Sequence, residues 1–445
     1  MNDTIAAIAT AHGTASLSIV RLSGPAAPEI ARRIAPAATL TPRLAELRTL
    51  YDQENEAIDR GIVLYFQAPR SFTGEEIVEF QCHGGQVIAQ EILETAVAYG
   101  ARLAEPGEFS KRAFLGGKID LSEAEAIAKL IEAKSVDAAR ILTRQLKGEL
   151  GRFVDEVREA LLRALAHSEV SIDYAEEDIP EDLLEGLKRQ LRALSDRLER
   201  IVESSERRRG LIEGFRVAIV GKPNVGKSSL LNALLQYERA IVSEIAGTTR
   251  DTIEEEIRIG THILRIVDTA GIREAGDRIE AIGVERSLRS IEEADIVLAL
   301  FDRSRPWEEE DEVILERLRS SGKEWIAVLN KCDLPARMET QRLAPYAPVE
   351  IDTVENFSQL PRRLQELLDR YSLDEELLLS GNRQIEAVRR ARREILAALA
   401  PLESGELELF SYHLQEAVQA LGQITRPYES EEILDRMFGE FCLGK

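Results

Sequence analysis

The sequence predicts a mixed fold, part α/β and part all-α, in which a strand–helix alternating domain interrupts a helical one. Three observations predict it. Short β-like runs broken by Gly and Pro fill residues 1–118, apolar positions recur at helical spacing in 119–213 and again in 373–445, and buried-strand runs alternate with helical stretches in 214–372. At 445 residues the chain exceeds one ordinary core, so two or three domains are expected.

The elements follow in order. Residues 18–22 (SIVRL) and 62–66 (IVLYF) read as strands of an N-terminal α/β domain. Ser122, with Glu125 three residues on, reads as a capping box opening the helical region. Leu184, Leu187, Leu191, Leu194, Leu198 and Ile201 make an apolar helix stripe, and Pro180 with Glu176, Glu177 and Asp178 marks a break before it. Residues 216–220, 263–267, 296–301 and 325–329 read as buried strands, with helices between them at 283–293 and 313–319, which implies a mostly parallel sheet covered on both faces. Three closing stripes are Ile385, Val388, Ile395, Leu396 and Leu399; Leu414, Val418 and Leu421; and Ile433, Leu434, Met437, Phe438 and Phe441. The helical regions flank the sheet domain, so one helical domain with the α/β domain inserted is the economical arrangement.

Composition narrows the class. Hydrophobic residues make up 44% and charged residues 31%, a globular profile. No run of about 18 apolar residues appears. The opening MNDTIAAIAT lacks the basic and long apolar segments of a secretory signal, and Cys82, Cys332 and Cys442 are too sparse for a disulfide framework or a zinc pair. A cytoplasmic protein is expected. The formal charge of -22 opposes nonspecific adhesion to nucleic acid without excluding a local basic patch.

Residues 221–228, GKPNVGKS, fit a phosphate-binding loop placed between a strand and a helix. Its glycines let backbone N–H groups curl around phosphate oxygens, Lys227 reaches the β- and γ-phosphates, and the Ser228 hydroxyl ligates Mg²⁺. Asn224, Val225, Gly226 and Ser229 complete the loop. Asp268-Thr269-Ala270-Gly271 follows a strand, where the carboxylate can hold Mg²⁺ through water and the glycine N–H can approach the γ-phosphate. Asn330-Lys331-Cys332-Asp333 follows the next strand run but one. Its Asp can accept from the guanine N1–H and amino group, a donor pair adenine lacks, so that residue selects guanine, and its Asn can donate to N7. Between them, residues 243–249 (Ser243, Glu244, Ile245, Ala246, Gly247, Thr248, Thr249) form a loop whose Thr can complete the Mg²⁺ shell when γ-phosphate is present. A GTPase is expected. Two features separate it from a simple switch. Ile272 stands where a water-orienting Gln would, and the Asn224 amide offers a neutral oxygen that could help bind a monovalent cation in place of an arginine finger.

These residues, with both ends of the chain, closely resemble the tRNA modification GTPase family MnmE (TrmE). The more particular matches are residues 106–115 (PGEFSKRAFL), 79–85 (EFQCHGG), 117–121 (GKIDL) and the closing FCLGK at 441–445. The resemblance implies an N-terminal tetrahydrofolate-binding and dimerising domain (1–118), a helical domain in two parts (119–213 and 373–445) and an inserted Ras-like G domain (214–372). It implies a K⁺-dependent GTPase working as a homodimer with an FAD- and NADH-dependent partner, MnmG (GidA), in a heterotetramer or larger. The implied reaction modifies carbon 5 of the wobble uridine of certain tRNAs with a one-carbon unit from 5,10-methylene- or 5-formyl-tetrahydrofolate. Carried onto this chain, Asn224, Ser243, Ile245 and Thr248 hold K⁺, Ser228 and Thr249 hold Mg²⁺, and Glu280 orients the hydrolytic water. The same resemblance implies that Arg21, Glu79, Lys118 and Lys445 bind the folate. Cys442 is either a thiol lining the site or a small buried residue beside Phe438 and Phe441. Adjacent strand residues point to opposite faces, which argues against a metal held by Cys82 and His83.

The chain departs from the family at residues 11–16 (AHGTAS for a Pro-Pro-Gly-Arg-Gly-Gly stretch), at 351–355 (IDTVE, without a Ser-Ala pair) and at 425–428 (TRPY). A ribosome-assembly or regulatory GTPase is the alternative. It would need a basic RNA-binding appendage, which the sequence does not show.

Overall fold

The structure, a computed structural model, describes residues 3–11, 13–173, 181–241, 255–267, 290–352, 356–372, 377–426, 431–439, 441 and 444. The chain divides into two compact units, one of residues 1–131, 144–192 and 390–445 and one of 132–143 and 193–389.

The first unit holds a six-stranded sheet of β1 (Ile5–Ile8), β2 (Leu17–Ser23), β3 (Ala45–Tyr51), β4 (Ala57–Phe66), β5 (Ile77–His83) and β6 (Arg102–Leu103), in the order β3-β4-β5-β2-β1-β6. Its pairings are antiparallel apart from β1 with β6. The period-two pattern of β2 sends Val20 and Leu22 into a core with Phe80 and Val63, closed by Ile30 and Ile34 of α1 (Ala27–Ile34) and Ile92 of α2 (Gln86–Ala98). The opposite face bears Arg21 and Ser23, beneath α3 (Glu108–Leu115). Leu121 and Ala124 of α4 (Leu121–Glu132) pack with Leu434 and Phe438 of α14 (Glu431–Gly439).

The cap of α4 corrects one expectation. Asp120 accepts from the Glu123 N–H at 2.8 Å while Glu123 accepts from the Asp120 N–H at 2.7 Å, so the capping box is Asp120–Glu123 and Ser122 lies inside the helix, donating to Asp120. The remaining helices are α5 (Val136–Leu146), α6 (Glu149–Asp173), α7 (Glu181–Arg207), α8 (Gly210–Glu213), α9 (Lys227–Ile241), α10 (Glu309–Ser321), α11 (Gln359–Ser372), α12 (Asn382–Ser404) and α13 (Leu407–Thr425). The leucine stripe of α7 is buried at Leu187, Leu191, Leu198 and Ile201. On α12 the stripe holds at Ile385, Val388 and Ile395, but Leu396 is exposed and Ala391, Ala398 and Leu402 take the core positions instead. Leu396 directly follows Ile395, and adjacent helix positions sit about 100° apart, so the two do not share one face.

The second unit holds a sheet of β7 (Phe215–Gly221), β8 (Glu255–Ile259), β9 (His262–Ile266), β10 (Ile296–Asp302), β11 (Glu324–Asn330) and β12 (Val349–Glu350), in the order β12-β11-β10-β7-β9-β8. It is parallel except for the β8–β9 hairpin. Alternate residues of β7 enter separate cores: Val217 and Ile219 on one face, Ala218 and Val220 on the other. Every residue of β10 is buried, as a central parallel strand covered on both faces requires. Two strands of this sheet escaped the sequence reading. β8 alternates charged and apolar residues at a sheet edge, and β12 spans only two residues.

Candidate nucleotide-binding site

The parallel strands β7, β10 and β11 end on the same side, where their C-terminal residues and the loops after them form the site. Gly221, with φ +155°, closes β7, and a Cβ there would stand 2.7 Å from the Leu300 carbonyl oxygen. Gly226, with φ +105°, leaves no room for a side chain either, since a Cβ would collide with the Nδ2 of Asn330. Both glycines of the motif are therefore required by close approach. Asn224 between them adopts the left-handed conformation (φ +60°), which Asn tolerates better than most residues.

Lys227 opens α9, and its Nζ donates to the carbonyls of Gly221 (2.7 Å) and Lys222 (2.9 Å). Burial holds its pKa below the ordinary lysine value. The Lys222 ammonium turns the other way. It pairs at 2.6 Å with both Glu308 and Asp311, which form the capping box of α10. Burial opposes its charge, but hydrogen bonds to Asp311 and Glu308 together outweigh that and raise its pKa. Ser228 and Ser229 are exposed on the first turn of α9.

Asn330 ends β11 in register with Asp302 at the end of β10. Its Nδ2 donates to the Val225 carbonyl at 2.8 Å, so one of the donors expected for the base serves the phosphate loop. Its Oδ1 is buried without a hydrogen-bond partner among the described residues. Lys331 (φ +62°) donates from Nζ to the Asn224 carbonyl at 2.9 Å and to Asp302 Oδ2 at 2.7 Å. Asp333 is exposed beyond it. Burial, with Glu350 nearby, pushes the Cys332 thiol up, so it is no activated nucleophile.

Two side chains of the second motif thus hold the backbone of the first, Asn330 at Val225 and Lys331 at Asn224. An orphaned buried amide oxygen, a loop with no room for Cβ atoms and a lysine caged by carbonyls suit a phosphorylated base. Sequence reasoning missed Asp302. The available signal was a carboxylate closing a wholly apolar strand. Ser243, Glu244, Ile245, Ala246, Gly247, Thr248, Thr249, Asp268, Thr269, Ala270, Gly271 and Glu280 lie outside the described residues, as do Cys442 and Lys445.

In the first unit Arg21 and Glu79 face each other across β2 and β5, with the Arg21 Nε donating to Glu79 at 2.8 Å and the guanidinium 5.7 Å from the Phe109 ring centre. Lys118 runs its stem over Gly74. Nearby, Arg112 is buried among Asp3 (2.9 Å), Glu108 (3.0 Å) and Glu75 (3.1 Å), and Arg102 joins Asp3 and Glu108, each at 2.7 Å. Cys82 is buried while the His83 ring is exposed and paired with Asp59, so the two do point apart. No helix among the described residues is long and apolar enough to cross a membrane.

Two family models match the chain, the TrmE N-terminus over residues 4–118 and the MnmE helical domain over 121–442. The tRNA modification GTPase MnmE of Sulfurovum sp. is 62% identical over 446 aligned positions covering 100% of this chain and 99% of that protein. The protein of the same name from Nitratiruptor sp. is 57% identical with the same coverage. A solved structure of Era with MgGDPNP and a 16S ribosomal RNA segment is 30% identical over 40% of this chain and 66% of that one, at a TM-score of 0.26, too low to bear on this fold. With both family models matched in sequence order and full-length relatives above half identity, the chain belongs to the MnmE (TrmE) family of tRNA modification GTPases.

Proposed function

We propose that this protein hydrolyses GTP in a K⁺-dependent manner and, with an FAD- and NADH-dependent MnmG (GidA) partner, modifies carbon 5 of the wobble uridine of certain tRNAs. The grip of one motif's side chains on the other's backbone supports this reading best, with Asn330 on the Val225 carbonyl and Lys331 on the Asn224 carbonyl. Lys227 would meet the β- and γ-phosphates, and Asp333 would select guanine. Ser228 with Thr249 would hold Mg²⁺. Asn224 with Ser243, Ile245 and Thr248 would hold K⁺, which supplies positive charge beside the phosphates. Asn224 and Ser228 are exposed residues. Glu280 would orient the attacking water, a task beyond Ile272.

The N-terminal domain (1–118) would take the tetrahydrofolate through Arg21, Glu79, Lys118 and Lys445. The Arg21–Glu79 pair supports this, because it sets a guanidinium and a carboxylate side by side, a donor and an acceptor for one polar edge of the ligand. The helical domain (119–213 and 373–445) would carry the G domain (214–372). GTP turnover would drive domain movement and not the carbon transfer.

Nucleoside analysis of tRNA from cells lacking the gene tests the whole reading. Loss of the C5-modified wobble uridine is expected, and an unchanged profile defeats it. Association with ribosomal subunits without 5-formyl-tetrahydrofolate binding would favour the ribosome-assembly alternative.

A further inference from the structure

The Asp302 carboxylate closes β10 with a side chain only 3% exposed. Its Oδ1 accepts from the Ser304 N–H at 3.0 Å and the Ser304 hydroxyl at 2.6 Å, and its Oδ2 accepts from Lys331 Nζ at 2.7 Å. Arg305 stands 3.6 Å from Oδ2. The same Lys331 ammonium donates to the Asn224 carbonyl at 2.9 Å. Asn224 and Lys331 are both non-glycine residues in the left-handed region, at φ +60° and +62°. Such a conformation is unfavourable for a residue with a side chain and persists where its surroundings fix it. Here one ammonium bridges the two strained backbones, and one buried carboxylate holds the ammonium.

We propose that Asp302 is a positioning residue for the monovalent cation. Through Lys331 it fixes the backbone of Asn224, and so the direction in which the Asn224 amide presents its oxygen. This rests on the assignment of Asn224 as a cation ligand. A purely structural role would run through Ser304, whose two hydrogen bonds make a local turn at the strand end. The substitution Asp302→Asn separates the two roles. An amide oxygen keeps the Ser304 bonds, but an NH₂ group then faces the Lys331 ammonium and the ion pair is gone.

The test is GTP turnover by the full-length protein as K⁺ replaces Na⁺ at constant ionic strength, read beside binding of Tl⁺, a K⁺ surrogate, to the nucleotide-loaded protein by thallium NMR, whose midpoint should shift with that of turnover. For Asp302→Asn the K⁺ concentration giving half-maximal turnover should rise about tenfold, the worth of one hydrogen bond to a charged group. Turnover at saturating K⁺ should return close to the wild-type rate. Ser304→Ala, which keeps the ion pair, should titrate like wild type. If Asp302→Asn titrates like a K⁺-responsive wild type, or loses turnover equally at every K⁺ concentration, the positioning role is refuted and the cation reading stands. A wild type indifferent to K⁺ removes the cation reading and this role with it. Should Asp302→Asn fail to fold, Asp302→Glu, which keeps the charge but displaces it, should still shift the midpoint upward, and an unshifted midpoint refutes the proposal.

Discussion

The side chain of Asn330 holds the backbone of Val225, with 2.8 Å separating its Nδ2 from the carbonyl oxygen, so the residue that opens the guanine motif also shapes the phosphate loop. Replacing Asn330 by Ala leaves that carbonyl without its donor inside a buried site. GDP affinity should fall about tenfold or more, and unfolding free energy by about 1–3 kcal/mol. Fluorescence titration of GDP beside a denaturation curve measures both, and unchanged affinity would show that the motifs act independently.

Gly226→Ala tests the same junction from the other side. The new methyl would meet the Nδ2 of Asn330 at a backbone conformation (φ +105°) that L side chains rarely adopt. The fold should persist, because the strand core lies beneath the loop, while GTP turnover should drop at least about a hundredfold, as when a catalytic loop loses its alignment. Circular dichroism and a turnover assay on one preparation separate the two effects.

Arg112 is the buried cation of the first unit, with Asp3, Glu75 and Glu108 around it. Arg112→Met removes the charge but leaves the carboxylates facing each other, which should cost about 3–5 kcal/mol. Arg112→Lys should recover part of that loss, since a point charge cannot reproduce the guanidinium fork. Urea denaturation followed through the N-terminal sheet reports the order wild type, Lys, Met.

Acid stability should depend on Glu46. Its carboxylate accepts from the Thr39 N–H at 3.0 Å and the Thr39 hydroxyl at 2.7 Å, with Arg48 at 2.8 Å, and these hold its pKa down to about 2. A folded pKa below the unfolded one stabilises the protein above the unfolded value and loses that stabilisation as pH falls through the folded one. Wild type should therefore lose about 1–2 kcal/mol between roughly pH 4.5 and 2 from this group, after allowance for solvent screening. Glu46→Gln should start lower at neutral pH and show a correspondingly flatter acid limb in denaturation midpoints.

The parts that could be read from sequence are those in which one residue type meets one local need. Gly221 and Gly226 sit where only glycine fits, and the middles of β7, β10 and β11 are continuous apolar runs because both faces of the sheet are covered. Asp302 could not be read this way. It looks like an ordinary acid after an apolar strand, and its significance comes from Lys331, 29 residues further on. The cap at Asp120 was hidden for a different reason, because Asp120 and Ser122 both precede a Glu at capping distance, and only the observed helix start decides between them. Leu396 misled because composition cannot assign a side to neighbouring apolar residues.

Asp3 answers to two guanidinium groups, with Arg112 also taking its backbone carbonyl at 3.0 Å. The leading end of the chain is thereby sewn into the seam where α3 meets the sheet. An affinity tag fused ahead of it needs a spacer long enough to leave that stitch undisturbed, and trimming the chain past Asp3 would unpick the N-terminal sheet from its margin inward.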